Sequence, residues 1–485
     1  MTKATHMPQP TPQAGAVKFT MLLAGLVLLL MMVVGLVMRA AQSNMIALDP
    51  ALFYQFLTAH GAGMVGTAGL TGAAIMWYFV GRHVHLVRGV FWAFLALFLI
   101  GVVLILGAIF IGGYGGAWPF LFPLPANSGG AWGQHAAGTF LLGYVFIGVA
   151  FLLLYLEVGR KLISAYGGIG GALGWPLAFG RGSTEDAPPP TAVAAMATPV
   201  FNTIGTVVGA AVLASSLVNL YFPEFKVDAL LAKNMTYFFG HVFINASIYM
   251  AVIAVYEIIP EYTGTPWKTS RMFVIAWSAV LLFVMAVYPH HLLQDVAMPA
   301  WALVMGQVVS YLSGIPLLAV TAFSLIVYLR KADKLRWDLA SALLVLGVAG
   351  WSVGSVPAII DGMISVNKVM HNTQWVPGHF HIYLILGEVA MSFGFMMWLV
   401  GRRERLPVSG ANRLAFSAYL IGGAGFTVMF LISGALSVPR RWAVHAPQWF
   451  LQNQIATAFG ALVILGAAVF FVRYVRGLKA SAAEA

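Results

Sequence analysis

The 485-residue chain contains no cysteine. It therefore forms no disulfide, offers no thiolate to a metal and has no CxxCH site for covalent haem attachment. Charge is the second scarcity: Asp, Glu, Lys and Arg make up 8% of the residues, against 60% hydrophobic ones. That balance excludes an ordinary soluble domain, whose surface needs far more charge. Acidic side chains number 15 against 26 basic ones, a net charge of +11. No internal repeat is evident, and no pair of short, interrupted apolar runs suggests transporter-type half-helices.

Apolar runs fill the chain instead, each long enough to cross a bilayer as a helix. About twelve can be traced. They lie near 19–40, 53–80, 87–112, 135–158, 198–222, 235–259, 269–289, 299–329, 337–360, 375–401, 411–437 and 449–475. The expected fold is an all-α integral membrane protein, with a single membrane domain over 19–475 between tails at 1–18 and 476–485. The first run is too long for a signal-peptide core and lacks a convincing cleavage site, so it reads as a retained helix.

The basic residues orient these runs. With the N-terminus and every second loop in the cytoplasm, Lys3, Lys18, Arg82, Arg88, Arg160, Lys161, Arg181, Lys268, Arg271, Arg330, Lys331, Lys334 and Arg336 lie inside. So do Arg402, Arg403, Arg405, Arg413, Arg473, Arg476 and Lys479, while Arg39, Lys226, Lys233, Lys368, Arg440 and Arg441 lie outside. The bias puts both termini in the cytoplasm. Topology and lipid headgroups account for the positive charge, with no nucleic-acid partner. Two loops are long. The proline-rich stretch 180–198 reads as a flexible cytoplasmic linker. The uncharged, aromatic stretch 113–133 reads as an interfacial cap over a cofactor edge.

Six histidines stand within or at the ends of four apolar runs: His60, His241, the adjacent His290 and His291, and His379 with His381. An imidazole in hydrocarbon needs a partner, and neutral imidazole is the commonest side-chain metal ligand. His379 and His381 are separated by about 200° around one helix, so they cannot easily share an ion. They suit two cofactors on either side, and haem iron takes axial imidazole among apolar helices. His60 matches them in depth. Gly61 and Gly63 beside it allow a flat macrocycle to approach or, equally, close helix packing. Pro289 breaks the helix end so that His290 and His291 both turn inward, and with His241 they suit copper, iron or zinc.

This order of histidines, with the segments HNTQWVPGHFH and SVPRRW, resembles the catalytic subunit of the haem–copper oxidase superfamily, its B branch in particular, from about Leu52 to Arg441. The resemblance implies that His60 and His381 hold a low-spin b-type haem and His379 a high-spin b- or a-type haem. It implies copper, or alternatively non-haem iron, on His241, His290 and His291. Arg440, Arg441 and His371 would contact haem propionates. Electrons would arrive from a small subunit II carrying a dinuclear copper centre or c-type haem, fed by a soluble cytochrome c or cupredoxin. The setting would be a bacterial or archaeal inner membrane.

One position departs from that pattern. A- and B-branch oxidases carry a tyrosine four residues after the sixth-helix histidine, where this chain has Asn245. An amide yields neither the electron nor the proton used to split dioxygen. Nitric oxide reductases of the cytochrome type place a glutamate there, which is also missing. The expectation is a divergent copper-containing nitric oxide reductase, and the alternative a proton-pumping terminal oxidase. In the alternative, Tyr249 or Tyr288 replaces the phenol. A histidine-lined channel is the reading from another class, and the PGHFH segment speaks against it. Tyr256, fifteen residues after His241, matches a tyrosine of the B-branch proton path by spacing, and Thr321 and Ser324 could continue that line, although such hydroxyls often bond their own helix. Glu388 is a mid-membrane carboxyl suggesting a proton relay on physical grounds. Gln294 and Asp295 would order water near the propionates, or Asp295 would cap the helix starting near Pro299.

Overall fold

The computed structural model describes residues 14–333, 335, 337–401 and 405–483. The topology residues Lys3, Lys334, Arg336, Arg402 and Arg403 lie outside these, as do most of the N-terminal tail and the last two residues. The described residues are mostly helical, with twelve helices long and apolar enough to cross a membrane. In chain order they are α1 (Ala14–Gln42), α2 (Pro50–Val80), α3 (Arg88–Phe110), α4 (Gln134–Tyr166), α5 (Pro190–Tyr221) and α6 (Ala229–Thr263). They continue with α7 (Arg271–Leu292), α8 (Ala300–Lys331), α9 (Leu339–Asp361), α10 (Trp375–Gly401), α11 (Gly410–Ala435) and α12 (Pro447–Ala480).

One boundary departs from the sequence expectation. The stretch 180–198 is a loop only as far as Pro189, and α5 begins at Pro190. A proline at the first helical position has the right φ and no lost hydrogen bond, so the helix starts there. The apolar residues that follow, from Ala192 to Ala197, are buried.

Burial sorts the bundle. In the most apolar stretches of α2, α6 and α10, 89%, 83% and 94% of residues are buried, against 22–50% in the other nine. These three helices form the centre and meet through small residues. A Cβ at Gly72 of α2 would lie 2.7 Å from the Ser247 carbonyl oxygen of α6, and one at Gly69 would lie 2.9 Å from Phe243. Between bilayer helices such close approach supplies van der Waals contact where no hydrophobic drive exists. The three central helices carry four of the six histidines.

Two irregular segments matter for the site. After Ala286, α7 ends in a 3₁₀ turn over Tyr288–Leu292. The central part of α10, Ile382–Val389, is π-helical, directly after the histidine pair. Wide turns of this kind are frequent at functional sites.

Candidate functional site

A cavity of about 480 Å³ opens between α1, α2, α6–α12 and the 113–133 loop, and all six histidines line it. Its wall also carries Asn245, Tyr249, His371, Arg440 and Arg441.

On one side, His60 of α2 faces His381 of α10. Their rings are nearly parallel, 18° apart, with centroids separated by 6.3 Å. Each is fixed through Nδ1 by a main-chain carbonyl: His60 by Met31 at 2.7 Å and His381 by Pro377 at 2.5 Å. That pattern protonates Nδ1 and leaves the Nε2 lone pair for a ligand. Gly35 of α1 makes room for it. A Cβ there would lie 2.7 Å from His60 Cε1. Gly61 and Gly63 serve packing, since added Cβ atoms would meet Trp118 at 2.5 Å and Met31 at 2.6 Å. Trp118 lines the cavity with Ala117 and Pro119, which puts three residues of the aromatic loop in its wall.

On the other side, His241 Nδ1 and His290 Nε2 each lie 3.1 Å from His291 Nε2. One ligand atom from each of these three histidines lies within 4.8 Å of the others. The sequence explains the convergence. The 3₁₀ turn after Pro289 brings two adjacent residues to the same side, and Gly306 lets α8 close on it. A Cβ at Gly306 would lie 2.7 Å from the His290 nitrogen. The rings are held from behind: His290 Nδ1 lies 3.2 Å from the Ser310 hydroxyl, and Tyr237 stacks on His291 at 5.3 Å. Three neutral imidazoles at this spacing can donate their lone pairs to one ion.

Asn245 lies one turn beyond His241. Its amide donates to the His241 carbonyl at 2.9 Å and sits 2.9 Å from His241 Nε2. The Tyr249 hydroxyl donates to Asn245 Oδ1 at 3.2 Å. Tyr288 is held elsewhere, its hydroxyl donating to Asn234 at 3.0 Å. Tyr256 and Thr321 share a hydrogen bond of 2.7 Å, beside a π-helical turn of α8 over Leu318–Ala322. Ser324 is half-buried one turn further on. Glu388 is fully buried, with Oε2 accepting from Ser247 at 3.0 Å and Oε1 without a hydrogen bond.

Beyond the helix ends, burial lowers the Arg440 guanidinium to about 10. It lowers His371 to about 4, with repulsion from Arg440 contributing, so His371 is neutral at physiological pH. Asp295 is not the cap of α8, a position occupied by Pro299. It pairs with Lys233, near the start of α6. Gln294 donates to the Asn367 carbonyl at 2.7 Å.

Three polar or charged features of this wall were not singled out by sequence reasoning. Arg39, assigned only to topology, is buried with its guanidinium 3.9 Å over the Phe430 ring. It donates to Asn453 at 2.8 Å and to Gln374 at 3.1 Å. Gln374 lies inside HNTQWVPGHFH, and that context was the available signal. Asp361 places Oδ2 3.6 Å from His379 Nδ1; its signal was a carboxyl at the end of an apolar run.

The comparisons agree with this architecture. The family profile of cytochrome c and quinol oxidase polypeptide I matches residues 15–468. Cytochrome c oxidase subunit 1 of Thermus thermophilus is 26% identical over 272 residues, covering 52% of this chain and 48% of that protein. Heme-copper oxidase subunit I+III of Aeropyrum pernix is 24% identical over 262 residues, covering 52% of this chain and 31% of that one. The matched stretches thus span about half or less of these relatives. A heme-copper terminal oxidase dimer solved by cryo-EM shares the fold at a TM-score of 0.74 and 21% identity, over 95% of this chain and 84% of that one. This multi-pass membrane protein therefore belongs to the cytochrome c and quinol oxidase polypeptide I family, the subunit I of haem–copper oxidases.

Proposed function

We propose that this chain is the catalytic subunit of a respiratory reductase converting two nitric oxide molecules, two electrons and two protons into nitrous oxide and water. The observation that carries this reading is Asn245, an amide 2.9 Å from His241 Nε2 where the resembling oxidases place a phenol.

The residues fit the groups that the family implies. One metal ion held between two facing imidazoles at bonds of about 2.0 Å would set the ring centroids about 6 Å apart, and His60 and His381 stand at 6.3 Å. They would hold the low-spin haem, and His379 the high-spin one. His241, His290 and His291 would hold copper or, alternatively, iron, the three nitrogens being close enough to share one ion. When bound, these groups supply electron transfer and a two-metal site for the diatomic substrate.

The protein's part is positioning and proton supply. Met31 and Pro377 fix the first histidine pair, and Ser310 and Tyr237 the copper-side pair. Arg440, Arg441 and His371 would face propionates, where an arginine gives charge-assisted hydrogen bonds. Neutral Asn245 steadies His241 without offering a proton. Protons would reach the cavity by Tyr256 with Thr321, or by Glu388 with Ser247. The single membrane domain would lie with both termini in the cytoplasm of a bacterial or archaeal cell. A subunit II with dinuclear copper or c-type haem would deliver electrons from a soluble cytochrome c or cupredoxin.

The second reading is oxygen reduction to water with proton pumping. The relatives' names favour it, as does the cavity position of Tyr249, whose hydroxyl reaches Asn245. Turnover of the purified complex with each gas, with metal content measured on the same sample, tests the choice. Nitrous oxide formation is expected. Fast oxygen consumption with no nitrous oxide from nitric oxide overturns the reading.

A further inference from the structure

We propose that Asp361 is a positioning residue for His379, its carboxylate accepting the Nδ1–H and enriching the ring toward an iron bound at Nε2. The inference rests on reading His379 as a haem ligand.

Three observations converge. His379 Nδ1 is buried without a hydrogen-bond partner, whereas Nδ1 of His60 and of His381 is already held by a main-chain carbonyl. Asp361, the last residue of α9, lines the same cavity and places Oδ2 3.6 Å from that nitrogen. This is a few tenths of an ångström beyond the usual limit of about 3.2 Å, within reach of a small rotation. The carboxylate is also held in place: Asn367 donates to Asp361 Oδ1 at 3.3 Å and to its carbonyl at 2.8 Å, leaving Oδ2 for His379.

The acceptor's charge decides the effect. A carboxylate draws the Nδ1 proton more strongly than a carbonyl does, which raises the basicity of the other ring nitrogen. Iron bound there gains electron density, and its oxidised form is favoured. The two histidines of the other pair, held by neutral carbonyls, lack this push. The arrangement separates the donor properties of His379 and His381 although they are two residues apart on one helix.

The test uses the purified, membrane-extracted holoenzyme. Resonance Raman spectroscopy reads the iron–histidine stretch of the reduced high-spin haem, and redox titration reads its midpoint. Asp361→Asn keeps the shape and removes the charge. It should lower the stretch and raise the midpoint with haem content unchanged, and Asp361→Glu should move both back toward wild type. An unmoved stretch and midpoint in Asp361→Asn, at full haem content, overturns the inference while leaving the haem reading intact. If Asp361→Asn does not assemble, Asn367→Ala, which frees the carboxylate from its tether, should move the stretch the same way, and no movement overturns it. A stretch that survives in His379→Ala overturns the haem reading and this inference together.

Discussion

His60 and Gly35 are bound in a lock-and-seat relationship: the imidazole edge occupies the space that a side chain at position 35 would fill, 2.7 Å from an added Cβ. The helix α1 carbonyl of Met31, one turn before Gly35, then receives His60 Nδ1–H. Gly35→Ala should therefore displace the ring and lower low-spin haem content, while the metal on the three-histidine side is kept. Reduced-minus-oxidised spectra with copper analysis check this. A full complement of both haems in the variant would show that His60 is seated by other contacts.

Asn245→Tyr should shift the site toward oxygen chemistry. Nitric oxide turnover should fall by about tenfold or more, a barrier change of about 1.4 kcal/mol, and oxygen consumption should rise. Electrode measurements of both gases on one preparation check it. Unchanged preference would mean that Tyr249, the next phenol along α6, already governs the choice.

His291 lies within 3.1 Å of a nitrogen of both His241 and His290. Its replacement by alanine should abolish non-haem metal binding rather than weaken it, because two imidazoles rarely suffice for a tight buried site. Elemental analysis of His291→Ala should give full haem iron and no copper. Retained copper would place that ion elsewhere.

Glu388→Gln removes a titratable proton while keeping the Ser247 contact geometry. If this carboxyl relays protons, turnover should drop by about tenfold or more, on the scale of general acid–base contributions, with unchanged haem spectra. Unaltered turnover would take Glu388 out of the proton path.

The Lys233–Asp295 pair supplies a pH prediction outside the membrane. The lysine holds the Asp295 carboxyl below its ordinary value. A depressed folded value contributes stability that is fully present above the unfolded value and lost as pH falls through the folded one. Asp295→Asn should flatten the acid limb of thermal stability by about 1 kcal/mol or less, as for pairs that keep contact with solvent. Salt should reduce the difference. An acid limb identical in both proteins would assign it to other carboxyls.

The membrane helices were legible because length and apolarity alone define them, and all twelve expected runs correspond to helices. The histidines were legible for the complementary reason: each is a costly exception within or at the end of such a run. Their division into opposed faces also followed from helical periodicity, since His381 meets His60 while His379 turns toward Asp361. Asp361, Gly35 and Arg39 were not legible as parts of the site. Each acts through a partner brought close only by packing, as Arg39 does with Asn453 far along the chain. The start of α5 departs from expectation because a run of prolines also signals a loop, whereas Pro190 opens a buried helix.

The wide turns of α10 unlink spacing from direction. In a regular α-helix, seven residues bring a side chain back to within about 20° of its starting face, so Glu388 would sit under His381. Instead Glu388 meets Ser247 of α6, while His381 faces His60 of α2. The π-helical stretch acts as a phase shifter between the first and second halves of the helix. Removing one residue from it would leave the histidine pair in place and turn every later side chain, from Glu388 to the Met391 that packs on Gly347, toward a different neighbour.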